Sequence, residues 1–344
     1  MNENENQRNL FDVRLILRNL NMLLVLFIIL IILVPLCLYM DKIGAVFSPN
    51  FKEGSQPEQS VISSVPEDFV MAEFEDSDEG RLAEYGHQLI TKTYALIGPQ
   101  TELAITGNRL SCSSCHLQGG TKPYGGPFIG LTGVFPIYIG REDKIVSLEE
   151  RVNGCFERSM NGKAIDVNSK EMRAIISYIK HLSKGTVVGQ RLKGQGFVDL
   201  KIPDRAADTD KGALVYKSIC SSCHGDHGQG QLAGPGENQG GYLYPALWGP
   251  DSYNDGAGMS RVLTAAKFIK GNMPFGVTHD APALSDEQAY DVAAYINSFP
   301  RPQKAHKERD YPNLKKKPMD SPYPPYADSI PQLQHKYGPF NFAE

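Results

Sequence analysis

One pentapeptide, Cys-Ser-Ser-Cys-His, occurs twice, at residues 112–116 and at residues 220–224. Both copies have the C-x-x-C-H form of a covalent c-type haem attachment site. Two thiols at this spacing can add to the vinyl groups of one haem as thioethers, and the adjacent histidine then lies beneath the iron as its fifth ligand. The candidate haem-binding residues are therefore Cys112, Cys115 and His116 for one haem, and Cys220, Cys223 and His224 for the other. A single C-x-x-C also fits a zinc site or a redox dithiol. Zinc would require the two copies to converge, yet each sits in its own helical pattern. A histidine directly after the second cysteine, twice, favours two covalently bound haem c groups with their iron.

A length of 344 residues allows about two domains, which agrees with two haem motifs. The net charge of -4 points to no polyanionic partner, so nucleic acid is not expected. Residues 22–40 (MLLVLFIILIILVPLCLYM) form an uncharged apolar run of bilayer-spanning length. It is longer than an ordinary signal-peptide core and no small-x-small cleavage site follows it, so an uncleaved transmembrane anchor is expected. Arg8, Arg14 and Arg18 precede the run, which favours a cytoplasmic N-terminus over residues 1–21. Haem c is attached on the outer side of the bacterial cytoplasmic membrane. The expected localisation is thus a single-pass anchor in that membrane with the haem domains in the periplasm.

Residues 41–78 are acidic, polar and punctuated by proline, and read as a spacer. The first cytochrome c domain is expected over 79–184, with helices over about 79–96, 147–160 and 169–182. The capping box Ser147-x-x-Glu150 and the pair Asn168-x-x-Glu171 mark the starts of the last two. A Gly-containing linker spans 185–207. The second domain, 208–300, repeats the order with helices over about 208–218, 260–270 and 285–299, the last opened by Ser285-x-x-Gln288. The closing helices share a Tyr-Ile pair, Tyr178-Ile179 and Tyr295-Ile296, so the chain contains a duplication with a period of about 110 residues. Almost no strand pattern is present. The expected fold is all-α: two tandem cytochrome c-type domains with an N-terminal transmembrane helix and an extended, Pro/Lys/Tyr-rich C-terminal tail over 301–344, free or draped over the domains.

What the iron atoms meet on their far side decides the function. In the second domain the candidate is Met273, in the loop Gly-Asn-Met-Pro-Phe after a helix, since thioether ligation is usual in electron-transfer cytochromes and raises the potential. Met259 is the alternative. In the first domain Arg151, Cys155 and Ser159 share one helical stripe, while Val152, Phe156 and Met160 form its neighbour. On that geometry Cys155 and Met160 point to different sides, and Met160 is the conventional haem ligand. Cys155 has a chemical argument: it is a thiol outside both haem motifs, in a compartment where a spare thiol is a liability. Arg151, Arg158, Arg141 and Lys163 lie close in sequence, and such cations favour the thiolate and would hold an anion. The spacing leaves both ligands open.

From about residue 79 onward the chain resembles the thiosulfate dehydrogenase family of dihaem cytochromes. The resemblance rests on the two haem motifs, on GREDKIVSLEERVNGCFERSMNGK, on LWGPDSYNDGAGM ahead of Met273, and on the terminal QHKYGPF. It implies His116 and Cys155 as ligands of a catalytic first haem, with Arg141, Arg151 and Ser159 lining the active site. It further implies oxidation of two thiosulfate to tetrathionate with release of two electrons, or the reverse reduction. Cys155 would form a covalent sulfur adduct with one thiosulfate, the arginines would neutralise sulfonate charge, and the second haem would pass electrons on. Some members carry a lysine immediately before the distal methionine; here that residue is Asn272, which resembles the subgroup with constant His/Met ligation.

A competing class is a membrane-anchored dihaem electron carrier without substrate chemistry. The discriminating feature is Cys155 with its arginines, since a carrier needs neither a reactive thiolate nor an anion site. Either reading requires a redox partner, such as another cytochrome c or a membrane electron-transfer protein.

Overall fold

The computed structural model describes residues 20–35, 62–234 and 240–341. The chain divides into two units, residues 1–59 and 60–344. In the first, residues 20–35 are helical. Among the described residues no helix is long and apolar enough to cross a membrane, which corrects the expected single-pass anchor and the placement in the cytoplasmic membrane that rested on it. Residues 36–40 of the apolar run, and residues 1–19, lie outside the described residues.

The second unit is built from two similar helical arrangements. In the first, α1 (Asp78–Thr91) packs across α3 (Lys170–Leu182), with α2 (Leu148–Arg158) between them in sequence. In the second, α4 (Thr209–Val215) packs across α6 (Asp286–Ser298), with α5 (Val262–Asn272) preceding. Both crossings depend on a glycine. A Cβ on Gly86 of α1 would stand 2.0 Å from the Ala174 carbonyl oxygen, and one on Gly212 of α4 would stand 2.2 Å from that of Asp291. In each case the nearest side-chain atom is the Cβ of the tyrosine of the Tyr-Ile pair, Tyr178 or Tyr295, at 2.8 Å. The duplication read from the sequence is thus one helix crossing used twice.

Local chemistry sets the helix ends. Ser147 and Glu150 form a reciprocal capping box on α2, as do Ser285 and Gln288 on α6. The cap of α3 is Ser169, whose side chain accepts from the Met172 amide, rather than Asn168. The helix expected over 79–96 breaks at Lys92 and resumes as Thr93–Ile97. Thr93 explains the break: its hydroxyl donates to the Leu89 carbonyl at 2.7 Å and accepts from the Cys112 amide at 3.0 Å, so the kink anchors the first haem motif.

Two short antiparallel hairpins depart from the all-α expectation. β1 (Ile137–Ile139) pairs with β2 (Lys144–Val146), and β3 (Gln231–Leu232) with β4 (Tyr242–Tyr244). Runs of two or three residues leave no alternation to detect. The first hairpin sets Arg141 at its turn and leads directly into α2.

One apolar core surrounds α1, α2 and α3, and a second surrounds α4, α5 and α6. The expected connecting segments take part in both. Val65 of the spacer and Leu192 of the linker are buried in the first core, and Leu200 in the second. Residues 62–64 bridge to the linker at Thr186 and Lys193; residues 41–61 lie outside the described residues. The segment after Trp248 also crosses over: Trp248 packs in the second core, while Tyr253 and Ala257 pack in the first. The C-terminal tail lies on the unit, with Tyr311, Tyr323 and Phe340 buried.

Candidate functional site

Between α1, α2 and α3 lies a cavity. Its floor carries Cys112, Cys115 and His116; its walls include Ile90, Leu110, Phe128, Ile175 and Ile179. The His116 ring is oriented by its Nδ1, which lies 2.5 Å from the Gly126 carbonyl oxygen. A backbone acceptor at one ring nitrogen fixes the tautomer and leaves Nε2 free to ligate. Gly126 has φ +70, and a Cβ there would meet His116 Nδ1 at 3.1 Å, so the turn needs glycine on both counts. An apolar cavity with two thiols and one aimed imidazole on a single short segment fits a covalently held haem.

The second motif is arranged in the same way. His224 Nδ1 lies 2.8 Å from the Pro245 carbonyl oxygen, and burial holds the imidazole below its usual range, towards the neutral ligating form. Cys220 and Met273 both pack against the second core, and Met273 closes the C-terminal end of α5. This donor set also fits a haem. Met259 packs against the first core instead, which counts against it as a ligand in the second domain.

α2 brings Val152, Cys155, Phe156, Ser159 and Met160 to the first cavity together. Cys155 and Met160 therefore do not point to different sides: the cavity is wide enough for both stripes. Their surroundings separate them. Met160 is buried among core side chains, whereas Cys155 Sγ receives a hydrogen bond of 3.1 Å from Arg151 Nη1. Burial alone would raise the Cys155 thiol, but the Arg151 guanidinium and His116 outweigh it and bring it down to about 6. In the same cavity burial pushes Cys112 up to about 11 and Cys115 up to about 12. One of three neighbouring cysteines is thus selected as the thiolate, by a cation one helical turn away.

Arg151, Cys155 and Ser159 come together as the helical stripe requires, with Arg151 on the exposed side and the other two lining the cavity. Asn108 Nδ2 donates to the Ser159 carbonyl at 2.9 Å and fixes this end of the helix. Arg141 and Arg158 do not join them through hydrogen bonds among the described residues. Arg141 Nη1 donates to the Gly256 carbonyl at 2.9 Å, Nε to the Tyr311 hydroxyl at 3.3 Å, and its guanidinium lies 5.6 Å from the Tyr311 ring centre. Arg158 is committed to Asp310. Of the cations close to Cys155 in sequence, Arg151 is the one in hydrogen-bond contact with the thiolate.

Sequence reasoning missed the groups contributed by the tail. Tyr311, Tyr323 and Lys317 pack around Arg141, with Lys317 Nζ 4.6 Å from the Tyr323 ring centre and 5.1 Å from that of Tyr326. The density of tyrosines in the tail was the one available signal.

Comparison with known proteins follows the same division of the chain. Residues 104–188 match the family model "SoxA/TsdA, cytochrome c domain", and residues 209–300 match "Cytochrome c". A thiosulfate dehydrogenase of Psychrobacter arcticus is 42% identical over 240 residues, 69% of this chain and 69% of the relative. One from Stutzerimonas stutzeri is 45% identical over 197 residues, 57% of this chain and 62% of the relative. Among solved structures, thiosulfate dehydrogenase (TsdBA) from Marichromatium purpuratum superposes with a TM-score of 0.64 at 32% identity, covering 73% of this chain and 52% of that one. This chain thus matches about half of that longer chain.

Proposed function

The chain belongs to the thiosulfate dehydrogenase family and is an oxidoreductase with two covalently attached c-type haems; on that premise we propose that it joins two thiosulfate ions into tetrathionate, or runs the reverse, at Cys155. The observation that carries this reading is the position of Cys155 Sγ, inside the first haem cavity and held by Arg151 Nη1 at 3.1 Å. A protein that only relayed electrons would have no use for a thiolate beside a cation at the cavity wall.

In the forward direction the Cys155 thiolate bonds to the outer sulfur of one thiosulfate. That step forms a sulfur–sulfur bond and releases two electrons. A second thiosulfate then attacks the same outer sulfur, displaces the Cys155 thiolate and departs as tetrathionate, with no net change in electrons. The haems, once attached, supply the one-electron acceptors that take the pair in turn. Both thiosulfates are dianions, so their approach is opposed by charge. Arg151 offsets that repulsion at the thiolate. The Ser159 hydroxyl can donate to a sulfonate oxygen, and Arg141 keeps N–H donors beyond the two it commits to Gly256 and Tyr311.

We assign His116 and Cys155 as the residues that would hold the iron of the first haem, and His224 and Met273 as those that would hold the iron of the second. Thioether ligation by Met273 would give the second haem the higher potential, and a redox protein such as another cytochrome c would take the electrons from it. The catalytic domain is residues 79–184 and the exit domain residues 208–300, with 301–344 as a strap. Cys155→Gly is the test. It leaves both attachment motifs intact, so two haems per chain are expected by mass together with nearly complete loss of tetrathionate formation. Arg151→Ala is expected to cost about a hundredfold in turnover. Near-normal thiosulfate oxidation by Cys155→Gly would overturn the assignment.

A further inference from the structure

We propose that Asn272 is a positioning residue that couples the two haem sites, transmitting a change in the Met273 loop to the carbonyl that orients His116, and the reverse. The inference rests on His116 and Met273 being axial ligands, as assigned above.

The segment 122–126 follows the first haem motif and faces both domains. On its first-domain side the Gly126 carbonyl orients His116, and the Gly125 carbonyl accepts from the Leu117 amide at 3.1 Å. The segment cannot drift: the Tyr124 amide donates to Gly194 at 2.7 Å and the Gly126 amide to Gly196 at 3.1 Å. On the other side it carries the loop that follows α5. Lys122 Nζ donates to the Val277 carbonyl at 3.0 Å, the Tyr124 ring lies 4.2 Å from that of His279, and Asn272 Nδ2 donates to the Tyr124 carbonyl at 3.0 Å.

Asn272 is the buried member of this set, 1% exposed. Its amide nitrogen serves two acceptors at once, the Tyr124 and Phe268 carbonyls, both at 3.0 Å. Two carbonyl acceptors fix which end of the carboxamide is nitrogen. The other end, Oδ1, is buried without a hydrogen-bond partner among the described residues. It stands against Gly125, where a Cβ would meet it at 3.2 Å. A buried oxygen left unpaired is a standing cost, tolerated because the nitrogen end spans two domains. Asn272 adjoins Met273 in sequence and Gly126 lies two residues beyond Tyr124. The His116 ring and Met273 are therefore linked through two side-chain hydrogen bonds and a few residues of backbone. A displacement at one ligand has a short, densely packed route to the other, and such a coupling must act in both directions.

The test is a spectroelectrochemical titration of the holoprotein. Asn272→Leu keeps the side-chain size and removes both donated bonds. It is expected to retain two haems and the near-infrared His/Met band. The reduction equilibrium of the first haem should shift about tenfold, or 59 mV for one electron, with altered low-spin g-values for that haem. Gly125→Ala approaches from the other domain. Its Cβ would meet the Lys122 Cβ at 3.1 Å, Asn272 Oδ1 at 3.2 Å and the Leu117 Cβ at 3.3 Å, and it is expected to shift the second haem. If Asn272→Leu does not accumulate as holoprotein, Gly125→Ala decides alone. Variants that alter only the haem of their own domain, or neither haem, would overturn the coupling. Absence of the His/Met band from the wild type would instead overturn the ligand assignment on which it rests.

Discussion

Arg158 and Asp310 form a buried, two-pronged ion pair, with Nη1 2.9 Å from Oδ2 and Nη2 2.7 Å from Oδ1. Arg158 ends α2, the helix that carries Cys155, and Asp310 lies in the C-terminal tail. Tyr323 Oη donates a further bond to Asp310 Oδ2 at 2.6 Å, and the amide of the next residue, Tyr311, donates to the Arg141 carbonyl at 2.8 Å. The pair thus fastens the tail to the catalytic helix and sets Tyr311 where it holds Arg141.

Removing one partner leaves the other charge buried, which typically costs about 3–5 kcal/mol. Asp310→Ala should therefore lower the thermal midpoint substantially. The double variant Arg158→Met, Asp310→Leu should recover much of the loss, because it leaves no buried charge behind. Equal destabilisation by the single and double variants would mean that packing, and not charge, holds the tail.

Gly86→Ala and Gly212→Ala test the helix crossings. Alanine gains about 1 kcal/mol of helix propensity over glycine, but the new Cβ would stand 2.0 Å or 2.2 Å from a backbone oxygen that no rotamer change can move. Overpacking of this kind costs about 1–3 kcal/mol. Both variants should lose stability on denaturant titration; a gain at either position would mean that its crossing is looser than described.

Lys317 predicts a dependence on pH. Burial lowers its ammonium from the ordinary 10.5 to about 8. Between those values the unfolded chain binds more protons than the folded one, so stability rises with pH across that window. Below pH 8 the full penalty is present. Lys317→Met should be more stable than the wild type at pH 7, and the difference in thermal midpoint should shrink as pH rises towards 10. A difference that stays flat with pH would refute the burial effect.

Met273→Leu should abolish the near-infrared band of the oxidised second haem while leaving both haems covalently attached. Its potential should fall as thioether ligation is lost. A band that persists would return Met160 and Met259 to consideration.

The covalent chemistry was legible in the sequence because it is local. Each Cys-Ser-Ser-Cys-His segment carries both thiols and the histidine, and Ser147-x-x-Glu150 and Ser285-x-x-Gln288 carry whole helix starts, so adjacency alone identified them. The stripe of Arg151, Cys155 and Ser159 followed from helix period for the same reason. The anchor expected from the apolar run at residues 22–40 was corrected by the structure, in which no helix among the described residues is long and apolar enough to cross a membrane, because apolar composition alone does not fix how long a helix is.

Tertiary structure decided everything that depends on residues distant in the chain. Which cation meets the thiolate was undetermined among Arg141, Arg151, Arg158 and Lys163, until Asp310 claimed Arg158 and Tyr311 with Gly256 claimed Arg141. The backbone carbonyls that orient His116 and His224, at Gly126 and Pro245, have no side chain to betray them. The tie from Asn272 to Tyr124 joins two domains through a backbone acceptor. A sequence encodes such contacts only through the packing that brings the partners together, because a carbonyl oxygen is the same at every residue and its place in space is set by the fold.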